Sequence, residues 1–484
     1  MSPINSLLLA SIFLSQLSFA TTFWVSKTGS DSNGCTSQSD ACLTIQKGIG
    51  ALNPGDTLYI GAGIYIENSS TNSATKKCGW FDPLVASLCI NKSGTKDLRI
   101  TISAAPNDEE KVIIDSEGTR AGVQLNSNDY ITFKGLVFKN HYSVGIANWG
   151  QVENEVANVA ALAEGIVIDG NIFLNTYGPA GDNVSSIAMW GSKDWIVRNN
   201  LIDGVSAGGS TTASGIQSYG VINALIENNT IRNVGFGIFW KDHYVKNAST
   251  RELWQESEIR YNRITASSAG IRISIRGSRT VEAGHSFIHH NIIDGLKSGG
   301  IGIHSAMAGA FGPSGDLIIS NNLVDGNNNS ATVGISVDAH RTLSLRGNIL
   351  TRVNIGLELV RYSDINLVKL IASNFNIFDS SFQNIVDRYS NTSRTYSNLT
   401  SWTAITSGVA QTLLVNRPDT NSITASFSNL IANTNNYEYS ASSPAKNLIS
   451  PGVNAGPFET GQEVIGKTDG NPPAPPVRPL LINQ

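Results

Sequence analysis

Five residues in the middle of the 484-residue chain combine groups that transfer protons with groups that bind acids. Tyr219 ends the stretch GIQSY, Lys241 and His243 belong to GFGIFWKDHY, and Arg272 and Arg276 belong to GIRISIRG. A phenol, an amine and an imidazole can act as general bases or acids, and guanidinium groups bind carboxylates through two parallel hydrogen bonds. These groups suit removal of a proton next to a carboxylate, provided that the fold brings them together.

A repeat in the central part of the chain predicts how these side chains are positioned. Short apolar segments that carry an asparagine recur at a period of roughly 30 residues, and each is accompanied by a second apolar segment that follows a glycine. Apolar and polar residues alternate in both segments, which is typical of strands with one buried face. The repeating asparagines are Asn171, Asn200, Asn229, Asn262, Asn291, Asn322, Asn348 and Asn376.

Short strands at this period, with Asn and Gly at the corners, predict an all-β fold, a right-handed parallel β-helix. We expect the asparagines to point inward at a tight turn and to bond from rung to rung, which is a structural role. Leucine-rich repeats need a denser leucine pattern and propellers need antiparallel hairpins, so neither fits. The segment CLTIQKGIGAL (42–52) predicts a short helix that caps the N-terminal end of the core.

Aligning the second strand of each coil on its glycine predicts which side chains face solvent. The first position after the glycine is aliphatic in each aligned coil and must point inward, as does the third, so the second and fourth positions point outward. One outward row contains Gln217, Phe239 and Arg272. The adjacent row contains Trp149, Trp190, Tyr219, Lys241, Ser274, His304 and Asp338. Adjacent rungs lie about 4.8 Å apart, so we expect one polar and aromatic stripe along the outer surface.

The entry segment PGDTLYIGAGIY (54–65) looks like a motif shared by secreted β-helix enzymes that act on polysaccharides, and PGVNAGPFE (451–459) extends the likeness. The chain is thus similar to the polysaccharide lyases of the pectate lyase-like superfamily. This resemblance implies β-elimination in a uronate polymer such as alginate, pectate or a glycosaminoglycan. In that reaction a base removes the C5 proton, an acid protonates the leaving oxygen, and a cation neutralises the carboxylate.

This chemistry assigns candidate roles to the outward residues. Lys241 is the candidate base, and Tyr219 is a candidate acid or a base that shares the task. Arg272 and Arg276 are expected to hold the carboxylate, with His243 in reserve for proton transfer. The residues expected to contact the sugar chain are Trp149, Trp190, Gln217, His304, Asp338 and His340.

The chain departs from the lyase families that it resembles. In alginate and chondroitin lyases of one β-helix family, a Lys and an Arg occupy equivalent outward sites on adjacent rungs, whereas Ser274 stands at the second site here. The acidic calcium ligands of that family are not evident either, because the preceding rung offers Gln217 and Tyr219. We assign no metal ligand and leave Ca²⁺ open as a cofactor.

Two other classes of function stay open at this point. A glycoside hydrolase needs two carboxylates about 5 to 9.5 Å apart, which Asp338 and Glu358 on neighbouring rungs could provide, and an epimerase would share the first proton abstraction. A non-catalytic glycan-binding protein or adhesin would use the aromatic residues but has no need for clustered Lys, Arg and His. We expect an acidic polysaccharide as the partner, and a monomer.

The N-terminus favours export. An apolar run in MSPINSLLLASIFLSQLSFA is followed by small residues, as in a secretory signal that ends at Ala20, so we expect a secreted or periplasmic protein. The expected domains are the signal (1–20), a β-helix catalytic domain (21–460) and a proline-rich tail (461–484). A net charge of −4 and a pI near 6.0 do not suggest a nucleic-acid partner, and no later segment is apolar enough to span a membrane.

The four cysteines are consistent with an oxidising compartment. Four cysteines allow three pairings, of which Cys35–Cys42 and Cys78–Cys89 are the most local. Free thiols are the alternative. Metal binding is disfavoured because no Cys-x-x-Cys pair or His cluster accompanies the cysteines. We predict the two local disulfides.

Overall fold

The structure is a computed structural model of the whole chain. The residues described are 20–67, 86–149, 162–179, 183–207, 213–241, 257–275, 285–307, 314–337, 340–361, 369–380, 384–389, 392–404, 419–459, 463 and 465–466. Most of the predicted signal and of the proline-rich tail therefore lies outside the described residues.

The described strands form a right-handed parallel β-helix, as the repeat predicts, and its coils have three faces. The first face is a sheet of 12 strands, each paired in parallel with the strand one coil away. Its strands are Thr22–Val25, Thr57–Ile60, Ile100–Ala104, Ile131–Lys134, Val167–Asp169, Ile196–Arg198, Leu225–Glu227, Ser257–Arg260, His285–His289, Ser314–Ser320, His340–Arg346 and Lys369–Asn374.

The other two faces merge into one sheet because two long strands, Thr230–Lys241 and Arg263–Ile275, run through both. The second face also contains Gly63–Tyr65, Val112–Asp115, Val137–Tyr142, Ile172–Gly178, Leu201–Ala207, Ile292–Asp294, Leu323–Asp325, Ile349–Thr351, Ile377–Asp379 and Ile423–Ala425. The third face also contains Ala86–Ile90, Ala121–Leu125, Val144–Trp149, Ala163–Glu164, Ser185–Lys193, Ser214–Ile222, Ile301–Met307, Val333–Val337, Ile355–Arg361 and Asn384–Tyr389.

Antiparallel pairing occurs only at the C-terminal end of the described coils. Strand Thr392–Tyr396 pairs with Asn384–Tyr389, and the short strands Ile431–Asn433 and Glu438–Tyr439 pair with each other. The helices there are Leu399–Thr403 and Phe427–Leu430. The prediction of parallel pairing from Asn171 to Asn376 is confirmed.

The predicted capping helix is present as Ile45–Ala51, after a single 3-10 turn at Gln38–Asp40. The Thr44 hydroxyl caps it by accepting a hydrogen bond from the Lys47 amide, and Ile45 and Ile49 join the core that runs through the coils. The helix therefore closes the N-terminal end of the core. The predicted Cys35–Cys42 disulfide forms beside it. Cys89 is also disulfide-bonded, and its predicted partner Cys78 lies outside the described residues.

The asparagine ladder is confirmed in detail. The Oδ1 of Asn229 accepts hydrogen bonds from the backbone amide and from the Nδ2 of Asn200 at 3.0 and 2.9 Å. The Nδ2 of Asn229 donates to the Val197 carbonyl and to Asn262 Oδ1 at 2.9 and 3.0 Å. Each rung thus satisfies the buried polar groups of the next, and the series continues from Asn171 to Asn376.

The residue before each ladder asparagine turns the chain. It adopts a left-handed backbone in all eight rungs, which suits Gly and Asn but is uncommon for bulky side chains. Tyr261 and His290 nevertheless take this conformation on adjacent rungs, and their rings lie 4.9 Å apart. Because a left-handed backbone is energetically unfavourable for such residues, contacts with neighbouring groups must hold Tyr261 and His290 in this conformation.

A chain of buried polar contacts supplies those neighbours and fastens the C-terminal segment (443–459). Glu459 Oε2 lies 3.0 Å from His290 Nε2, and the Nδ1 atoms of His290 and His289 lie 2.7 Å apart. His289 Nε2 in turn lies 2.7 Å from Glu258, which also accepts from Arg260 at 2.8 Å. Burial lowers the pKa of His289, and the hydrogen bond with His290 lowers the pKa of Glu459. The C-terminal segment is therefore held to the ladder turn by an ionised carboxylate.

Replacing one ladder residue should destabilise the fold strongly. Asn229→Ala leaves the buried amide and Nδ2 of Asn200 without their acceptor, which we expect to cost about 3 to 5 kcal/mol in the free energy of unfolding. Chemical denaturation followed by circular dichroism measures this cost. The exposed Asn126→Ala is the control, with a change of less than about 0.5 kcal/mol. Equal stability of the two variants would contradict the importance of the ladder.

Acid should release the C-terminal segment. Because the folded-state pKa of Glu459 is depressed, its contribution is present above the ordinary glutamate pKa and is lost as pH falls below it. Hydrogen exchange at the Ala455 and Gly456 amides should therefore accelerate on acidification. Glu459→Gln should accelerate it already at neutral pH, by about 1 kcal/mol in opening free energy, and flatten the pH dependence. The exposed Glu438→Gln should behave like the wild type. The same exchange profile for Glu459→Gln and Glu438→Gln would show that Glu459 does not hold the C-terminal segment.

Candidate functional site

Three residues of the predicted stripe lie in one outward row on successive rungs of the third face. The Cα register pairs Trp190 with Tyr219 and Tyr219 with Lys241, as the glycine alignment predicts. Alternation along the strands turns these side chains outward. Ile216 and Ile238, which stand three residues before Tyr219 and Lys241, point the other way and are fully buried. All three side chains of the row are half-buried, so solvent and a ligand can reach them.

Lys241 and Tyr219 form a direct contact. Lys241 Nζ lies 2.5 Å from the Tyr219 hydroxyl and 2.5 Å from Asn183 Oδ1. The amide oxygen of Asn183 can only accept, so the lysine is the donor in that bond. Gln217 Nε2 donates to the same oxygen at 3.3 Å and helps to orient it. A lysine and a tyrosine that are 22 residues apart in sequence thus share a hydrogen bond at the surface.

Aromatic rings surround this pair. Lys241 Nζ lies 4.5 Å from the centre of the Tyr219 ring and 4.3 Å from the centre of the Phe239 ring. Trp190 meets Tyr219 edge to face, with ring centres 4.8 Å apart. Contacts of this kind stabilise a cation, and they hold the two polar groups in a fixed position.

Arg272 lies one rung beyond Lys241, in the neighbouring outward row. Its guanidinium carbon is 5.3 and 5.2 Å from the ring centres of Phe236 and Phe239, which are themselves 5.0 Å apart. The predicted proximity of Arg272 to Lys241 is therefore present, since both cations contact the ring of Phe239.

The position predicted for His304 needs correction. Its Cα partner is Arg272, and the residue beside Ser274 is Ala306, so His304 stands in the row of Arg272 and not in that of Lys241. The stacking glycine of this coil is Gly302, because a Cβ atom on Gly270 would lie 2.7 Å from the Gly302 carbonyl oxygen. Aligning Gly300 instead shifts the strand by two residues, which leaves the facing unchanged. Burial, with the charge of Arg272 as the second cause, lowers the pKa of His304 to about 4.

Two other outward residues are less available than predicted. Gln217 was expected to contact substrate, but its side chain is fully buried and supports Asn183 instead. Glu358, one half of the hydrolase alternative, is buried, and its two oxygens contact Ser336 and Arg388 at 2.8 and 2.7 Å. Its partner in that alternative, Asp338, lies outside the described residues.

Other predicted site residues cannot be placed in this way. Arg276 and His243 lie outside the described residues, as do the side chains of Trp149 and His340. The backbone of Trp149 pairs with that of Trp190, whereas His340 begins a strand of the first face.

Sequence reasoning missed Asn183 and Phe236. Asn183 lies just before the strand Ser185–Lys193 and comes within reach of Lys241 only because the coils stack on one another. No local sequence pattern therefore indicates it. Phe236 stands one position before the aligned glycine, outside the rows that we compared.

Within the described ranges, no cluster of three or more His, Cys, Asp or Glu residues could hold a metal ion. No helix in the same ranges is long and apolar enough to cross a membrane. The described side chains of this site offer a hydrogen-bonded Lys241–Tyr219 pair that could transfer a proton, beside Arg272, which can bind an anion.

Comparisons with known proteins agree with the fold. A family profile described as "Right handed beta helix region" matches residues 185–385. Among solved structures, a rhamnogalacturonan lyase is 14% identical, covers 77% of this chain and 87% of its own, and has a TM-score of 0.45. Pectate lyase Pel9A is 14% identical, covers 92% of this chain and 97% of its own, and has a TM-score of 0.40.

A lacto-N-biosidase from Eubacterium ramulus is 11% identical, with 84% of this chain and 68% of its own covered and a TM-score of 0.41. A search of curated protein sequences finds no match. The family profile confirms the predicted resemblance to right-handed parallel β-helix proteins.

The low pKa of His304 can be tested directly. We expect an NMR titration to place it at about 4, so that His304 is neutral at neutral pH. Arg272→Gln should raise this pKa, but only partly, because burial is the larger cause. His141, whose pKa burial alone lowers to about 4 without a contribution from Arg272, is the internal control. An unchanged His304 titration in the variant would show that Arg272 does not act on it.

Proposed function

We propose that the protein is an exported polysaccharide lyase that cleaves an acidic, uronate-containing chain by β-elimination. The observation that carries this proposal is the hydrogen bond between Lys241 and Tyr219 on a half-exposed aromatic row. Export is supported by the Cys35–Cys42 disulfide, since disulfides persist mainly outside the cytosol. Residues 1–20 then act as the secretory signal, and the β-helix is the catalytic domain.

The reaction needs balanced proton transfers. A base removes the C5 proton of the uronate, the C4–O bond breaks, and a double bond forms between C4 and C5. The departing oxygen takes up a proton, which the protonated base or a neighbouring acid can supply. One acid–base pair on the outer face, beside a bound sugar ring, can serve both steps.

The contacts suggest a division of labour between the two groups. Asn183 Oδ1 and the faces of two aromatic rings all favour the ammonium form of Lys241. An ammonium beside the Tyr219 oxygen stabilises a phenolate, so we assign proton abstraction to Tyr219 and charge stabilisation to Lys241. This assignment departs from the sequence-based expectation that Lys241 is the base, and it gives Tyr219 the whole of a task that it is there expected to share with Lys241.

Binding of the uronate carboxylate falls to the cations. Lys241 and Arg272 approach the same ring from adjacent rungs, so each can bind the carboxylate of the sugar unit that lies beside it. Withdrawal of charge from the carboxylate makes the C5 proton more acidic. Trp190 offers a flat surface one rung from Tyr219 on which a neighbouring sugar ring can stack.

The alternatives have less support among the described residues. A hydrolase would need a carboxylate pair, and Glu358 is already committed to Ser336 and Arg388. A protein that only binds glycans would not need a hydrogen-bonded pair of acid–base groups such as Lys241 and Tyr219. Elimination distinguishes the classes, because it alone creates an unsaturated product that absorbs in the ultraviolet.

The deciding experiment is ultraviolet absorbance during incubation with alginate, pectate, glucuronan and glycosaminoglycans. We expect absorbance to rise with at least one of them. Tyr219→Phe should lower kcat by at least about 100-fold, the scale of a lost general base. Lys241→Ala should lower kcat similarly, whereas Lys241→Arg should retain measurable turnover because it preserves the positive charge.

Two results would overturn parts of this proposal. No rise in absorbance with any acidic polymer, together with new reducing ends, would indicate a hydrolase. If Tyr219→Phe is nearly as active as the wild type while Lys241→Arg is as inactive as Lys241→Ala, the lysine is the base. The exposed Lys446→Ala, far from the site in the C-terminal segment, serves as the control for general effects of removing a charge.

A further inference from the structure

The ring of Phe239 touches both cations of the site. The Lys241 ammonium lies 4.3 Å and the Arg272 guanidinium carbon 5.2 Å from its centre. These two cations stand on adjacent rungs and in different outward rows, since Phe239 itself is the Cα partner of Arg272. No other described side chain contacts both of them through an aromatic face.

Phe239 is more deeply buried than the two cations that it touches. It belongs to an outward row, yet only 5% of its surface is exposed, and it packs with Phe236 and Ala269 in a small apolar cluster. Lys241 and Arg272 are half-buried, and both have long side chains with several rotatable bonds. A buried ring beside these two long side chains reduces the number of positions that their charged groups can occupy.

We propose that Phe239 is a positioning residue, whose ring holds the Lys241 ammonium and the Arg272 guanidinium as a pair that binds carboxylates of an acidic glycan. The proposal rests on the proposed lyase function and adds how its site binds the carboxylates of the substrate. Phe239 does not itself meet the substrate or the transferred proton. It acts through the two cations, whose attraction to the ring face depends on the electron density of the ring.

The arrangement also narrows the substrate. Two cations on adjacent rungs can engage two carboxylates at once only if neighbouring sugar units both carry one. Polymers built of uronates alone meet this condition, whereas glycosaminoglycans alternate uronates with amino sugars. A homopolymeric uronate chain should therefore bind more tightly than an alternating one of equal length.

The test uses the full-length protein with Tyr219→Phe, so that the polymer stays intact, and measures binding of polygalacturonate, polymannuronate and chondroitin by calorimetry. Phe239→Leu keeps an apolar side chain but removes the ring, and we expect binding of the preferred polymer to weaken about tenfold. Site-specific incorporation of mono-, di- and trifluorophenylalanine at Phe239 changes the electron density of the ring with little change of shape. Affinity should fall stepwise with the number of fluorine atoms.

Phe133 is the matched control, a buried ring of the core, where the same fluorinated residues should leave affinity unchanged. In the otherwise wild-type enzyme, the fluorine series at Phe239 should raise KM more than it lowers kcat, which a purely structural role would not produce. The fluorinated rings also decide the question if Phe239→Leu fails to fold.

Each outcome is informative. A stepwise loss of affinity at Phe239 and none at Phe133 supports the positioning role. No dependence on fluorine at Phe239, in an enzyme that cleaves a polyuronate, overturns the positioning role and leaves the lyase function intact. Absence of both binding and cleavage with every acidic polymer overturns the lyase function, and with it this inference.

Discussion

The vertical register between successive coils is the constraint on which the rest of the molecule depends. Buried asparagines set it at one corner, where each side chain accepts two hydrogen bonds from the coil on one side and donates one to the coil on the other. A buried amide left without partners is costly, so a coil cannot slip relative to its neighbours without losing several bonds at once. The regular spacing of about 4.8 Å follows from the parallel strands.

This register turns distance in sequence into contact in space. Lys241 and Tyr219 meet because one coil separates them, and Lys241 reaches Asn183 across two coils. The same stacking brings Arg272 to the ring of Phe239 and His304 to Arg272. Charge and aromatic surface are thereby concentrated on one face, where an extended glycan could lie along several coils. The proposed chemistry uses this concentration of charge and aromatic surface.

The ladder corner also carries the attachment of the C-terminal segment. Tyr261 and His290 adopt a left-handed backbone there, which is unfavourable for bulky residues, and their ring centres lie 4.9 Å apart. The contact from Glu459 to His290 offsets part of that cost, while Gly466 bonds to the Tyr261 carbonyl. The same corner thus holds successive coils together through the asparagine ladder and attaches the C-terminal segment to their outer surface. It lies on a different face from the candidate site.

Sequence alone determined the architecture, because the repeat is encoded locally in every coil. The alternation of apolar and polar residues and the periodic asparagines predict the strands, the inward rows, the ladder and the outward facing of Lys241 and Tyr219. Only the tertiary structure decided the lateral position of His304, since a shift of two residues preserves the alternation and leaves no trace in the pattern. The burial of Gln217 and Phe239 and the approach of Asn183 to Lys241 were also undetermined, because they depend on which residues from other coils lie nearby. The side of a strand on which a side chain lies is a local property of that strand, whereas its exposure to solvent and its contacts depend on residues that other coils bring nearby.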